Sequence, residues 1–425
     1  MKKLLLAFFY GIKNYISKIK MFSKNASRFI ITHFLIQIML GIFSTIMNVY
    51  LLKMGFSKSF IGTYMAYSTI ASAVFSVPIG VISDRIGHKK VCIAAALILI
   101  VGTVGEVSFL IPGLLLFASF IKGIGSAAFM VVQNPFIMNN STDKERIHVF
   151  SLNHASVCMA SVLGSLLAGV LPALAALFIN SSGALISIEA SSLRTSLAIS
   201  VIFVVLSIIP VLLIEEKPVT ANTAKKGFRI KDVIHNKNIL SLTFHRFLIG
   251  VGAGFTLPFF NVFLSDSFNA TNEEISMITM GSRIVLTIGT LLSPLLLKKF
   301  GRMKSIIITQ VLSIPTLVAI TWSPNVAAVA LLYWVRTALM NMSSPISNSM
   351  AMELVPDDLR STSSSMIHMA DSVGRSAAQI GGGWIMDNLS NVMPYYITGI
   401  LYVLATAFFW SMFKNVDKGG NPAEA

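Results

Sequence analysis

An all-α membrane protein with twelve spanning helices, set in two pseudo-symmetric six-helix bundles, is the fold class that three features of this sequence predict. The first is composition. Of 425 residues, 54% are hydrophobic and only 12% charged, about half the charged share of an average soluble domain. The second is run length, because many apolar stretches exceed the ~20 residues that a helix needs to cross a bilayer. The third is an internal repeat. A shift of 214 residues superposes Ile61 on Ile275, Gly87 on Gly301, Lys90 on Lys304, Arg146 on Arg360, His154 on His368 and Gly169 on Gly383.

The spans are expected at residues 29–52, 60–82, 91–109, 113–137, 150–172 and 195–214 in the first half. Those of the second half are expected at 239–263, 275–297, 304–322, 326–348, 363–386 and 393–413. With a cytoplasmic N-terminus, 25 of the 33 Lys and Arg fall on inner segments. Only Lys53, Lys58 and Arg194 fall on outer ones, and Lys122, Arg246, Arg283, Arg336 and Arg375 lie within spans. That bias predicts both termini in the cytoplasm of a plasma or inner membrane. The net charge of +15 then reads as a topology label and an attraction to anionic lipid headgroups, with no nucleic-acid partner.

Residues 1–27 are expected to form an amphipathic segment on the inner membrane surface. A signal peptide is the rival reading. It lacks a small-x-small cleavage site, and Lys13, Lys18, Lys20, Lys24 and Arg28 follow the apolar opening. Residues 28–214 and 239–413 are the two bundles, 215–238 a polar cytoplasmic linker, and 414–425 a cytoplasmic tail. Cys92 and Cys158 both fall inside spans, so no disulfide framework or paired zinc site is expected.

The segment Gly80-Val-Ile-Ser-Asp84-Arg85-Ile-Gly87-His88-Lys89-Lys90 reads as a short polar loop between the second and third spans. It resembles, almost letter for letter, the corresponding loop of major facilitator superfamily transporters. A degenerate second copy, Lys298-Lys299-Phe300-Gly301-Arg302-Met303-Lys304, lacks the acid. Gly123-Ile-Gly125-Ser-Ala127 is similar to the family's Gly-x-Gly-x-Ala segment, and Gly164–Gly169 loosely resembles its glycine-rich antiporter signature. Ser119 stands where many proton-coupled exporters of the family carry arginine. The resemblance covers about residues 28–413. It implies two parallel-oriented repeats rocking about a midplane site, working as a monomer. For the loop residues Gly80, Asp84, Arg85, Gly87, Lys89, Lys90, Gly301 and Arg302 it implies gating. In that role Asp84 latches the outward-open state against a helix N-terminus and basic partners, worth about 1–2 kcal/mol; the alternative is a solvated turn residue.

Arg283, Arg336 and Arg375 lie near the centres of spans 8, 10 and 11, and Lys122 near that of span 4. A cation at such depth costs about 2.5–3.5 kcal/mol on insertion scales, so each should face water, an acid or a substrate. The resemblance places all four helices around the central cavity. Asp371 is one turn before Arg375 on the same helix face, which makes it either a neutralising partner or a proton carrier. Glu106 could help to compensate these cations, but it lies near the outer end of span 3, a helix that the resemblance places outside the cavity. The surplus cations match a carboxylate, phosphate or sulfonate.

Asn48 and Gln37 are further candidate substrate contacts, with His33, Gln133 and Asn134 offering hydrogen bonds to substrate or between helices. His154 and His368, near the cytoplasmic ends of spans 5 and 11, join Asp371 as candidates for proton coupling, with plain packing as the alternative. Gly252, Gly254 and Pro258 in span 7 mark either a hinge or close helix packing.

No phosphate-cradling glycine-lysine loop, metal-spaced cluster or nucleophile motif is present. The chain is read as no enzyme, with no metal and no cofactor. The expected function is secondary active transport of a small organic solute with anionic character, coupled to an ion gradient, protons being the expected ion. A proton-coupled exporter of amphipathic drugs is the closest rival, and a non-transporting receptor on the same scaffold a third reading.

Overall fold

A computed structural model describes residues 23–178, 188–215, 236–356 and 359–414. Most of the expected N-terminal segment, linker and tail lies outside these residues, and so does the side chain of Asp84. The first six spans form α1 (Lys24–Lys53), α2 (Lys58–Ile86), α3 (His88–Ser108), α4 (Pro112–Asn139), α5 (Asp143–Ala176) and α6 (Ile188–Leu212). Span 7 is α7 (Lys237–Thr256), a 3-10 turn at Leu257–Phe259 and α8 (Phe260–Phe268). Span 8 is α9 (Asn272–Leu291) with α10 (Ser293–Phe300). Next come α11 (Arg302–Ala319), α12 (Val326–Met342) with α13 (Ser344–Glu353), α14 (Arg360–Asn388) and α15 (Met393–Phe413).

Ten of the described helical segments are long and apolar enough to cross a membrane. The two expected spans outside that set are α9–α10, which carries Glu273, Glu274 and Arg283, and α14, which carries Asp371, Arg375 and Asp387. Arg283, Asp371 and Arg375 line the cavity, Asp387 bonds to the opposite half, and Glu274 caps the start of its own helix. Large apolar side chains such as Val101, Phe117 and Leu291 are exposed on the surface of the helices.

The expected loop at Gly80–Lys90 is not a loop. Helix α2 runs on to Ile86 and α3 begins at His88, so Gly87 alone joins them, with φ of 95°. Gly301 joins α10 to α11 in the same way with φ of 74°. Only glycine enters this left-handed region without strain, which is why the repeat preserves it 214 residues apart. The charged residues Asp84 and Arg85 do not end the helix.

Helix packing repeats with the sequence. In the first half α1 packs on α5 and α6, α2 on α4, and α3 on α4 and α6. In the second half α7 packs on α14 and α15, α9 on α12, and α11 on α12 and α15. The halves meet through α2 on α14 and α5 on α9, two pairs that the same two-fold relation exchanges. Missing side chains make the closest crossings. A Cβ on Gly62 would sit 2.1 Å from the Gln379 carbonyl oxygen, and one on Gly383 2.3 Å from that of Lys58.

Candidate functional site

Between the halves lies a cavity of about 590 Å³. One end is shut by bonds across the interface. Asn48 Nδ2 donates to the Pro258 carbonyl at 2.8 Å, and Asn261 Nδ2 to those of Ser44 and Thr45 at 3.0 and 2.8 Å. Further out, Lys58 Nζ meets Asp266 Oδ2 at 2.6 Å and Asn391 Oδ1 at 2.8 Å. Asp387 accepts from the backbone N–H groups of Lys58 and Ser59 at 3.0 and 2.7 Å, capping α2 from the other half. At the opposite end the polar contacts Asn25–Asn140 (3.0 Å) and Arg302–Glu353 each join helices of one half. The lining runs from Asn48 and Pro258 at the shut end towards Ser347.

The second half supplies the cavity's charge. Arg336 on α12 is 3% exposed, donates from Nη2 to the Tyr402 hydroxyl at 3.4 Å, and lies 6.0 Å from that ring's centroid. Its buried Nε has no hydrogen-bond partner. Arg283 on α9 also lines the cavity, and Tyr333 lies within electrostatic reach of both arginines. Among the described residues no carboxylate comes within ion-pair distance of either. Arg375 donates to Asp371 Oδ2 at 2.9 Å, one turn away on α14. Arg246 on α7 also lines the cavity, and its Nη2 donates to Asn348 Oδ1 at 2.6 Å.

Lys122 lines the cavity from the first half, but it is not an unpaired cation. Its ammonium lies 2.7 Å from Glu106 Oε1, and it also donates to the Tyr64 hydroxyl at 3.1 Å. Glu106 lies outside the cavity lining, as expected of span 3, but it is fully buried, because α3 packs on α4 with the carboxylate turned towards Lys122.

The other expected site residues divide by position. Arg283, Arg336, Arg375, Asp371, Lys122, Asn48 and Pro258 all line one cavity. Gln37 is not among the lining residues. Its amide meets His33 at 3.2 Å, and His33 meets Asn153 at 3.2 Å, a chain that ties α1 to α5. His154 and His368 are exposed on the outside of α5 and α14, away from the cavity. Gly252 and Gly254 sit where α7 crosses its neighbours, with Cβ positions 2.6 Å from the Tyr402 ring and 2.4 Å from the Arg375 carbonyl oxygen. Pro258 breaks the helix into the 3-10 turn, so packing and a bend coexist.

Sequence reasoning missed Arg246, His245, Gln379 and Tyr402 in the lining. Arg246 carried a signal, being a cation inside a span. Of the triad Tyr64–Glu106–Lys122, Glu106 and Lys122 stood out as charges inside spans, but no spacing paired them, since the members come from three helices.

The Major Facilitator Superfamily profile matches residues 29–262 and 242–425. An uncharacterized MFS-type transporter of Methanocaldococcus jannaschii is 30% identical over 111 residues, which is 26% of this chain and 28% of that protein. Among solved structures, the nucleoside transporter NupG superposes with a TM-score of 0.75 at 16% identity, over 92% of this chain and 99% of that one. A bacterial homolog of the human lysosomal transporter Spinster, inward-facing and unoccupied, gives 0.73 at 15% identity over 91% and 96%. A D-xylose-proton symporter gives 0.69 at 17% over 93% and 97%. At these identities the likeness to solved structures is one of fold.

Proposed function

The chain belongs to the major facilitator superfamily and is a membrane transporter, not an enzyme; on that premise we propose that it carries a small organic anion by proton-coupled alternating access. The observation that carries this reading is Arg336. A buried guanidinium without a carboxylate, with one N–H unused, is costly to keep unless a guest neutralises it. Arg283 beside it doubles the demand, and the guanidinium fork matches a carboxylate, phosphate or sulfonate. Asn48 and the Asp371–Arg375 pair line the same cavity and offer further contacts.

The charge bias of the loops supports an orientation with both termini in the cytoplasm of the cell membrane. The shut end at Lys58, Asp266 and Asp387 then faces outward, and this conformation is open to the cytoplasm. Asp84 at the end of α2 keeps its proposed role in latching the opposite, outward-open state, which Asp84→Asn weakens.

Counterflow in proteoliposomes tests the reading, with benzoate, glucose 6-phosphate, uridine, D-xylose and a cationic dye as probes. NupG and the D-xylose-proton symporter are described by neutral cargoes, and such molecules leave Arg283 and Arg336 without a counter-charge. Exchange is expected for an anionic probe, with a loss of about tenfold or more in Arg336→Gln, as for a charge-assisted hydrogen bond. Exchange of only the sugar, the nucleoside or the dye, unaffected by Arg336→Gln, overturns the proposal. Dye export with Asp371 as the essential acid would install the amphipathic-drug reading in its place.

A further inference from the structure

We propose that Glu106 and Lys122 form the proton-coupling site: Glu106 takes up the proton, and the released Lys122 takes the negative charge of the substrate. The inference rests on the anion-carrying reading of the same cavity. Glu106 is fully enclosed, with Oε1 and Oε2 at 2.7 and 2.8 Å from Lys122 Nζ. The Tyr64 hydroxyl donates to Oε1 at 2.5 Å. Lys122 and Tyr64 line the cavity while Glu106 stands behind them, one side chain removed from it. The ammonium also lies 5.0 Å from the centroid of Phe43, another lining residue.

The pair cannot relax by parting its helices. A Cβ on Gly102 would sit 2.6 Å from the Lys122 backbone nitrogen, so α3 and α4 are in backbone contact at this level. Ser119 Oγ fixes α4 to α2 through the Tyr64 carbonyl at 2.8 Å. The charged group that α6 brings nearby is Arg194, whose guanidinium is taken by the carbonyls of Val107 and Ser108. Lys122 is therefore the cation that holds Glu106 ionised. Once drawn away, it leaves a buried carboxylate that is neutralised by a proton.

The step balances simply. One proton enters from cavity water and ends on a Glu106 carboxyl oxygen; the Lys122 ammonium keeps its own three. The first half changes from neutral to singly positive at its cavity face. Among the described residues the second half presents Arg283 and Arg336 without a carboxylate partner. Closing the cavity over like charges is unfavourable, so the protonated carrier closes only around an anion. The unprotonated, empty carrier has a neutral first-half face and closes freely. A proton therefore crosses only in company with an anion, and the carrier returns empty and unprotonated. Asp371 does not fit this role as well, because it shares α14 with its partner Arg375 and its neutralisation adds charge to the half that already carries the surplus. His154 and His368 lie outside the cavity.

Spin-label distances across the shut end read the prediction without any substrate. Labels at Ile188→Cys and Leu389→Cys, in a Cys92→Ala, Cys158→Ala background, report one short distance while the carrier stays open to the cytoplasm. The wild-type pair is expected to show only that distance at acid pH and to gain a longer one at alkaline pH. Glu106→Gln, which leaves Lys122 permanently free, is expected to lose the longer population at every pH. A wild type without pH dependence, or a Glu106→Gln protein that keeps it, overturns the proposal. Should Glu106→Gln not insert, Glu106→Asp replaces it: its shorter reach loosens the ion pair and is expected to move the transition to higher pH, and an unmoved transition overturns the proposal equally. Loss of anion counterflow alongside a normal pH response would remove only the substrate reading.

Discussion

Lys58 and Asp266 come from opposite halves of the chain, yet Nζ and Oδ2 lie 2.6 Å apart, with Asn391 accepting a second bond from the same ammonium at 2.8 Å. Beside them Asp387 takes two backbone N–H groups and the Ser59 hydroxyl at the start of α2. A helix of one half thus has its N-terminus capped by a carboxylate of the other. That cap exists only while this end is closed, so these residues stabilise one state of the carrier over its alternative.

Removing the cap shifts that balance. Lys58→Gln is expected to cost the closed state about 1 kcal/mol, because partial exposure screens the pair, or roughly fivefold in population. Asp387→Asn loses charge-assisted bonds to two N–H groups and a hydroxyl and is expected to cost about 2 kcal/mol. The distance between labels at Ile188→Cys and Leu389→Cys checks both. An unchanged distribution in Asp387→Asn would mean that the cap is incidental.

Two glycine substitutions separate closure from folding. In Gly383→Ala the new Cβ would come 2.3 Å from the Lys58 carbonyl oxygen, across the interface between the halves. It is expected to hold this end open while leaving each bundle intact. Gly123→Ala meets the Ser68 carbonyl oxygen at the same 2.3 Å, but within the first half. It is expected to lower stability by about 1–3 kcal/mol, as overpacking does, with no change in the label distances. Thermal denaturation and the label distances, measured on both variants, give the comparison.

Arg336→Met is expected to abolish anion counterflow without lowering Tm. The wild-type side chain is a buried cation with an unused Nε, and an apolar replacement of similar volume relieves that cost. A clear fall in Tm would instead mark Arg336 as a structural residue held by Tyr402.

Pro258→Ala addresses the bend in span 7. Alanine supplies the N–H that proline lacks and favours a continuous helix through the present 3-10 turn. Exchange is expected to slow severalfold while Tm stays level or rises. An unaltered exchange rate would leave the turn a packing feature.

Most of the architecture was legible beforehand. Apolar runs gave the helices, and the 214-residue shift predicted a packing pattern that recurs pair by pair, α1 on α5 as α7 on α14. The arginines of spans 8, 10 and 11 were singled out by depth, since a cation in hydrocarbon has few places to go, and the family resemblance set their helices around a cavity. The Gly80–Lys90 segment was misread as a loop because its charges were taken to end the helix. The backbone keeps its hydrogen bonds up to Ile86, and a single residue with positive φ makes the turn. Lys122 was counted among the uncompensated cations, with Glu106 as a helper set near the outer end of span 3, because the two lie on different helices.

The sequence by itself determined which stretches enter the membrane, that they come as two copies, and which cations demand an explanation. These follow from hydropathy and periodicity, which act along the chain. Only the tertiary structure decided which cations are already answered: Lys122 by Glu106, Arg375 by Asp371, Lys58 by Asp266, with Arg283 and Arg336 left facing the cavity. Charges act over a few ångströms of space, and the distance between Tyr64, Glu106 and Lys122 is fixed by helix crossings that no spacing in the sequence records.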